Sequence, residues 1–133
     1  MIGLVLIIDE NPINLKLASE VLLAGEYTVV GAVDAEQAQL LLTTVMPDLI
    51  LMDIALPGMD GLSLTRLIKS DVRLRHIPIV ALTAYAMRGD DVKASAAGCD
   101  GYITKPIDTR VLAGQVSAII DAARIRQARD ASA

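Results

Sequence analysis

The sequence predicts an α/β fold built on a doubly wound, five-stranded parallel sheet. Three short segments are continuously apolar instead of alternating, which is typical of strands that are buried on both faces: Leu4–Ile8, Leu49–Met52 and Ile79–Leu82. Patterns with helical spacing lie between these segments. A regular alternation of strand and helix implies right-handed crossovers, which place helices on both faces of the sheet.

Two further segments are weaker strand candidates. Tyr27–Val33 and Gly101–Thr104 contain β-branched and aromatic residues, but each is interrupted by glycine or polar residues. We expect these two strands nearer the edges of the sheet. With them, the strand–helix unit repeats five times along the chain.

The predicted helices have identifiable starts and ends. Asp34 and Asp108 precede the second and fifth helices, and aspartate is a favoured N-cap. Gly98 would end the fourth helix, which spans about residues 88–97. The apolar stripes that define the other four helices are Leu15, Ala18 and Leu22; Ala35, Ala38, Leu41, Leu42 and Val45; Leu64, Leu67 and Ile68; and Leu112, Val116, Ile119 and Ala123.

Length and composition favour a single cytoplasmic domain. The chain has 133 residues, of which 53% are hydrophobic, and we predict one domain over residues 1–126 with a flexible tail over 127–133. No apolar run reaches membrane-spanning length, and the start of the chain lacks the basic residues of a signal peptide. The net charge of −4 argues against nucleic-acid binding, which usually needs a basic face.

Polar residues follow four of the five predicted strands at the point where each strand ends. Asp9 and Glu10 follow the first strand, Asp53 the third, Thr83 the fourth and Lys105 the fifth. The carboxyl ends of parallel strands meet at one edge, where ligands of doubly wound sheets bind. We therefore expect these side chains to lie close together.

This set of side chains indicates phosphoryl-transfer chemistry. Three carboxylates held close together repel one another, and Mg²⁺, which prefers carboxylate oxygen and water, would relieve that repulsion. Lys105 and Thr83 suit a tetrahedral oxyanion, because one offers a charge and the other a hydroxyl donor. An oxyanion beside Mg²⁺ and a carboxylate suggests that the carboxylate is the nucleophile.

The site residues stand in four motifs: Asp9-Glu10-Asn11-Pro12, Asp53 with Leu56-Pro57-Gly58-Met59-Asp60-Gly61, Leu82-Thr83-Ala84, and Gly98-Cys99-Asp100-Gly101-Tyr102-Ile103-Thr104-Lys105-Pro106. In combination, these motifs resemble the receiver domain of two-component response regulators. The resemblance spans about Leu4 to Ile120 and implies a flavodoxin-like (βα)5 fold with strand order 2-1-3-4-5. Residues 86–90 resemble single-domain, chemotaxis-regulator-like proteins and the receivers of hybrid kinases.

The resemblance implies a role for each residue of the site. Asp53 would accept a phosphoryl group from a phosphohistidine on a partner histidine kinase or phosphotransfer protein. Glu10 and Asp53 would bind Mg²⁺, with Asp9 acting through water and the Ala55 backbone carbonyl completing the site. Lys105 would neutralise the acyl phosphate, and its peptide bond to the following proline would be cis.

The resemblance also implies a switch that signals to a downstream protein. Thr83 would bond the phosphoryl group and draw its loop inward, and Tyr102 would follow into the vacated space. That movement would remodel the face formed by the fourth helix, fifth strand and fifth helix. The protein would catalyse only its own phosphorylation and dephosphorylation, as a single-domain regulator, a phosphorelay shuttle or a receiver excised from a larger protein.

One feature departs from the common family pattern, and two further positions concern the lifetime of the phosphoryl group. At the first strand the order is Asp9 then Glu10, whereas many members have two Asp, or Glu then Asp. The longer Glu10 predicts Mg²⁺ binding that is kept but weakened, because Mg²⁺ tolerates poor geometry badly. Ala55 and Tyr85 would flank the path of attacking water, and neither favours its entry, so we predict slow self-dephosphorylation.

Two other functions remain open. A constitutive pseudo-receiver, which is never phosphorylated, is favoured only by Glu10. An Asp-nucleophile phosphatase would need a second Asp two residues after the nucleophile, and that position is Ala55. We expect a monomer or a weak homodimer formed through the face of the last helix.

Overall fold

The computed structural model describes residues 3–84 and 90–132, and within them strands and helices alternate five times. This confirms the predicted order of elements. The bounds are β1 Leu4–Ile8, α1 Pro12–Ala24, β2 Thr28–Ala32, α2 Ala35–Leu41, β3 Leu49–Asp53, α3 Gly61–Ser70, β4 Ile79–Thr83, α4 Asp90–Ala97, β5 Gly101–Thr104 and α5 Leu112–Ser132.

The five strands form one parallel sheet in the order β2-β1-β3-β4-β5. The predicted fold class and strand order are therefore confirmed. The chain moves outward from β1 to β2 and then returns to place β3 on the other side of β1. The carboxyl ends of β1 and β3 thus flank the topological switch point, where a crevice opens in folds of this kind.

The core consists of two apolar layers, one on each face of the sheet. Val5 and Ile7 face the layer that contains α1 and α5, whereas Leu6 and Ile8 face the layer that contains α2 and α3. All four side chains are fully buried. Burial on both faces explains why the central strands are continuously apolar in sequence.

Side-chain caps fix where three of the helices begin. Asn11 accepts hydrogen bonds from the backbone N–H groups of the first turn of α1, and Asp34 accepts one from Gln37 N in α2, as predicted. Asp60 caps α3 by accepting from Ser63 N at 2.8 Å. That backbone hydrogen bond lowers the pKa of Asp60 from its ordinary value, because it stabilises the charged carboxylate.

Two predicted helix boundaries differ from the structure. The stripe predicted to run through Val45 stops being α-helical after Leu41, because the Thr43 and Thr44 hydroxyls donate to backbone carbonyls of the last turn. Asp108 accepts a hydrogen bond from Arg110 N, so it starts a separate turn over residues 109–111, and α5 begins only at Leu112.

Residues 127–132 are helical, and the flexible tail expected over 127–133 stays a prediction. Helix α5 continues through Ser132, because no proline or glycine follows Gly114 and the segment is rich in the helix formers alanine, arginine and glutamine. Gln127 Nε2 also donates to His76 O at 3.1 Å. The domain boundary at residue 126 stays a prediction.

None of the helices in the described ranges combines the length and apolarity needed to cross a membrane.

Candidate functional site

The carboxyl ends of β1 and β3 and the residue that follows β5 bring Asp9, Asp53 and Lys105 together. Lys105 Nζ lies 2.7 Å from Asp9 Oδ2 and 3.4 Å from Asp53 Oδ2. The side chains of Asp9, Asp53 and Lys105 are 1%, 7% and 12% exposed. With ordinary charges, two buried carboxylates face one ammonium, so among the described residues one negative charge of this group has no balancing cation.

Both carboxylate oxygens of Asp9 accept hydrogen bonds. Oδ1 accepts from Asn11 N at 2.9 Å, and Oδ2 accepts from Lys105 Nζ. The backbone is fixed as well, because Asp9 N donates to Ala32 O and so continues the pairing of β1 with β2. The side chain is therefore held rigidly just beyond the end of β1.

The two oxygens of Asp53 are engaged unequally. Oδ1 accepts from Ala55 N at 2.9 Å. Oδ2 lies 3.4 Å from Lys105 Nζ, longer than the roughly 2.7–2.9 Å of a charge-assisted hydrogen bond. Oδ2 is thus the less engaged oxygen and the one better placed to act as a nucleophile.

Thr83 and Lys105 are linked through their backbones. Thr83 ends β4 with only 2% of its surface exposed, and its carbonyl accepts a hydrogen bond from Lys105 N at 2.7 Å. The Lys105–Pro106 peptide bond is cis, as the sequence resemblance implied. Tyr102 is half-buried on β5, in register with Ala81 of β4.

Other predicted site residues lie differently. Glu10 is exposed, and it does not join the group formed by Asp9, Asp53 and Lys105. Ala55 is exposed in the loop after β3, and its N–H is the group that binds Asp53. Tyr85 and the motif residues 86–89 lie outside the described residues.

The donor chemistry at this edge fits a magnesium ion. In the part of the chain that the structure describes, no three acidic, histidine or cysteine side chains are grouped to hold a metal. Mg²⁺, however, keeps several waters and commonly binds through one or two carboxylates. Asp9 and Asp53 would supply these, and the excess negative charge beside Lys105 favours a cation.

Gly61 packs beside the site, although the sequence motif that contains it assigned it no role. A Cβ built on Gly61 would lie 2.3 Å from Asp53 O and 2.7 Å from Ile54 Cα. Gly61 N also donates to Ile54 O at 3.1 Å. The absence of a side chain therefore lets the start of α3 pack directly against the backbone of Asp53.

Comparison with known proteins identifies the family. The family model of the response regulator receiver domain matches residues 5–117. This chain belongs to that family. The receiver domain is 43% identical over 103 residues to the polar-differentiation response regulators DivK of Brucella anthropi and Brucella ovis. In both cases the match covers 77% of this chain and 84% of the relative.

Solved structures share the same fold. The signal receiver domain of a signal transduction histidine kinase from Syntrophus aciditrophicus is 32% identical, with a TM-score of 0.83, and the match covers 90% of this chain and 91% of that one. A CheY-like receiver domain protein from Methanospirillum hungatei is 26% identical, with a TM-score of 0.85 and coverage of 92% and 97%. The receiver domain is therefore a response regulator of two-component signalling.

Proposed function

We propose that Asp53 accepts a phosphoryl group from a phosphohistidine on a partner histidine kinase or phosphotransfer protein, in a Mg²⁺-dependent reaction. The observation that carries this proposal is the buried group of Asp9, Asp53 and Lys105 at the carboxyl edge of the sheet. Burying a surplus carboxylate costs stability, so its presence at a ligand-binding edge favours a chemical role.

The transfer is a displacement at phosphorus. Asp53 Oδ2 forms a bond to phosphorus while the bond from phosphorus to the donor imidazole nitrogen breaks, and the electron pair leaves with the imidazole. Lys105 would neutralise charge on the phosphoryl oxygens. Mg²⁺, when bound, would neutralise further charge on these oxygens and orient them. The hydrogen bond from Ala55 N holds Oδ1 and leaves Oδ2 for attack.

The output we propose is a contact with a downstream protein through α4, β5 and α5. Thr83 would bond the phosphoryl group, and Tyr102 would follow the resulting movement of Thr83. Val92 on α4 and Val111 before α5 expose 67% and 45% of their surfaces, which suits protein contact. The DivK relatives are themselves named response regulators.

One observation favours a second candidate, the constitutive pseudo-receiver. Glu10 is exposed, and no three acidic side chains among the described residues are grouped to hold a metal, so the set of three carboxylates expected from sequence is not assembled. A site that never bound metal would leave Asp53 unphosphorylated. The phosphatase alternative has less support, because Ala55 supplies no acid–base group after Asp53.

Acetyl phosphate labelling tests the proposal directly. We expect the protein with Mg²⁺ and acetyl phosphate to gain the mass of one phosphoryl group, and expect Asp53→Asn to gain none. Asp108→Asn serves as the matched control, because Asp108 is an exposed carboxylate far along the chain from Asp53, and it should label normally. Intact-protein mass spectrometry gives the answer.

The outcome also separates the two candidates. If neither a mass gain nor amide shifts with beryllofluoride and Mg²⁺ are observed, the pseudo-receiver is the better description. Labelling of Asp53→Asn to the wild-type extent would place the acceptor elsewhere and overturn the proposal.

Glu10 provides a test of the metal site. We propose that Glu10→Asp binds Mg²⁺ more tightly than the wild type, because the shorter side chain suits the geometry that Mg²⁺ demands. Titration calorimetry measures the two affinities. An unchanged affinity would show that the residue at position 10 does not limit metal binding.

We also propose that the phosphorylated protein dephosphorylates slowly. Ala55 lies beside Asp53 and carries no polar group that could position an attacking water. Asn at position 55 would supply one, so Ala55→Asn should lose label faster than the wild type. Equal rates of loss, followed by mass spectrometry after removal of the phosphodonor, would contradict this.

A further inference from the structure

We propose that a cavity between α2 and α3 binds a free apolar α-amino acid. The cavity has a volume of about 210 Å³, and the described residues that line it do not include Asp9, Asp53 or Lys105. Binding at this cavity therefore does not require the phosphorylation proposed for Asp53. Three features point to this ligand: an apolar base, a guanidinium fixed at the rim, and a second rim charge of opposite sign.

The base of the cavity is apolar. Four buried side chains contribute to it: Leu42, Leu64, Ile68 and Leu74. An apolar cavity of about 150 Å³ is large enough to bind benzene, whereas pockets for drug-sized ligands measure about 300–1,000 Å³. A volume between these limits fits a small molecule whose apolar part is the size of a leucine or phenylalanine side chain.

The gap between the two helices follows from the early end of α2. The helix stops at Leu41, and the next carbonyl, that of Leu42, accepts a hydrogen bond from Arg73 Nη2. Arg73 belongs to the turn that follows α3, so its side chain reaches across the opening from the α3 side. This bond holds the guanidinium at the rim, where Arg73 is one of the exposed lining residues.

The rim carries two opposite charges, Arg73 and Asp71, which do not form an ion pair with each other. Among the described residues, no other carboxylate is paired with the Arg73 guanidinium either. Asp71 Oδ1 accepts from Arg73 N at 2.8 Å, and no described group donates to its Oδ2. Since that bond keeps both residues in one turn, a small ligand with two opposite charges would find its counter-charges close together.

An α-amino acid carries such a pair of charges on a single carbon. Its carboxylate would bind the planar guanidinium of Arg73, and its ammonium would bind the carboxylate of Asp71. The side chain of the ligand would then enter the apolar base. A ligand with only one charge fits less well, because an anion would also meet Asp71 and a cation would also meet Arg73.

Four small ligands test this assignment on the intact chain by ¹⁵N-amide chemical-shift titration. Leucine has all three features, leucinamide lacks the carboxylate, N-acetylleucine lacks the ammonium, and alanine lacks most of the apolar body. We expect saturable shifts of amides in α2 and α3 with leucine. The affinities of the other three should be about tenfold lower or less, because each loses a charge-assisted contact or the burial of the branched chain.

Two variants test the rim of the cavity. Arg73→Met and Asp71→Asn should each weaken leucine binding about tenfold or more. Asp71→Asn keeps an oxygen that accepts from Arg73 N, so the turn is retained even if Arg73→Met loosens the end of α2. Arg75→Met and Asp108→Asn make the same charge changes at exposed residues that do not line the cavity, and both should bind leucine as the wild type does.

Several outcomes would overturn the inference. One is the absence of a saturable shift up to the solubility limit of leucine, and another is a set of shifts outside α2 and α3. Equal binding of leucine and either N-acetylleucine or leucinamide would show that one of the two charges plays no part. Equal weakening by Arg75→Met and Arg73→Met would likewise remove the role of the rim. Labelling of Asp53 is measured separately with acetyl phosphate, so none of these results bears on the proposed function.

Discussion

The two ends of the sheet each hold a lysine paired with aspartate, but the pairs differ in kind. At the amino end, Lys69 Nζ lies 2.9 Å from Asp100 Oδ2 and also donates to the carbonyls of Ile77 and Arg75. Asp100 Oδ2 accepts from Ile79 N as well, which anchors the start of β4. At the carboxyl end, Lys105 faces two carboxylates and is fixed by fewer bonds.

The difference shows how an ion pair that only stabilises the fold can be told from a functional site. Around Lys69 the less exposed charges balance, since one ammonium meets one carboxylate, and Arg126, whose side chain is 56% exposed, approaches Asp100 only at 3.8 Å. Around Lys105 the charges do not balance, since Asp9 and Asp53 together exceed it by one. A balanced, fully bonded cluster joins elements of the fold, whereas an unbalanced buried cluster has capacity for a ligand.

The largest expected effect comes from backbone packing at the carboxyl end. Gly61→Ala should lower the free energy of unfolding by at least about 3 kcal/mol, because the new Cβ meets the rigid backbone of Asp53. Gly114→Ala, in α5 with open space around it, should instead stabilise the protein by about 0.5–1 kcal/mol. Urea denaturation measures both, and similar effects for the two variants would mean that the start of α3 is not tightly packed.

Removing Lys69 or Lys105 distinguishes the structural ion pair from the functional site. Lys69→Met should cost about 2–3 kcal/mol of unfolding free energy whether or not Mg²⁺ is present, because Asp100 and two carbonyls lose their donor. Lys105→Met should also be destabilised, but addition of Mg²⁺ should reverse most of its loss. Urea denaturation in EDTA and in Mg²⁺ measures both, and equal metal responses would remove the distinction.

Replacing aspartate with asparagine should change the unfolding free energy in opposite directions at the two ends of the sheet. Asp53→Asn should raise the unfolding free energy in metal-free buffer by about 1 kcal/mol, because it removes the surplus buried charge. Asp100→Asn should lower it by about 1–2 kcal/mol, because a charge-assisted bond to Lys69 is lost. Thermal or urea unfolding decides the point, and destabilisation in both variants would contradict the proposed surplus of charge.

The smallest expected effect is pH-dependent and concerns Asp60, which caps α3 at the carboxyl end of the sheet. The depressed pKa of Asp60 means that its charged cap contributes stability above pH 3.8, and that this contribution is lost as pH falls through the lower folded-state pKa. Asp60→Ala should cost about 1 kcal/mol at neutral pH. The difference from wild type should shrink in acid, and a constant difference from pH 7 to pH 3 would show that the charge plays no part.

Much of the fold could be predicted because local pattern and tertiary context agree. The strands β1, β3 and β4 are buried on both faces, so their sequences are continuously apolar and easily recognised. The helical continuation through Ser132 was not predicted, because helix formation there depends on good helix formers and on the contact of Gln127 with His76, and sequence distance conceals that contact.

Part of the candidate site could be predicted for a related reason. The carboxyl ends of parallel strands lie at one edge of the sheet. Asp9, Asp53 and Lys105 therefore meet at that edge regardless of how the helices pack. Glu10 was expected beside them, but it lies in a bend after the end of β1 and is exposed. The bond between Lys69 and Asp100 joins residues 31 positions apart and left no recognisable motif.

The backbone bond between Lys105 N and Thr83 O has a consequence for engineering the site. Thr83 and Lys105, which we propose contact the phosphoryl group, are joined by this backbone bond. A displacement of the end of β4 would therefore move the lysine as well. A graft that transferred Thr83 or Lys105 alone would lack the backbone hydrogen bond that positions the two side chains relative to each other. The smallest portable piece of this site is the paired ends of β4 and β5.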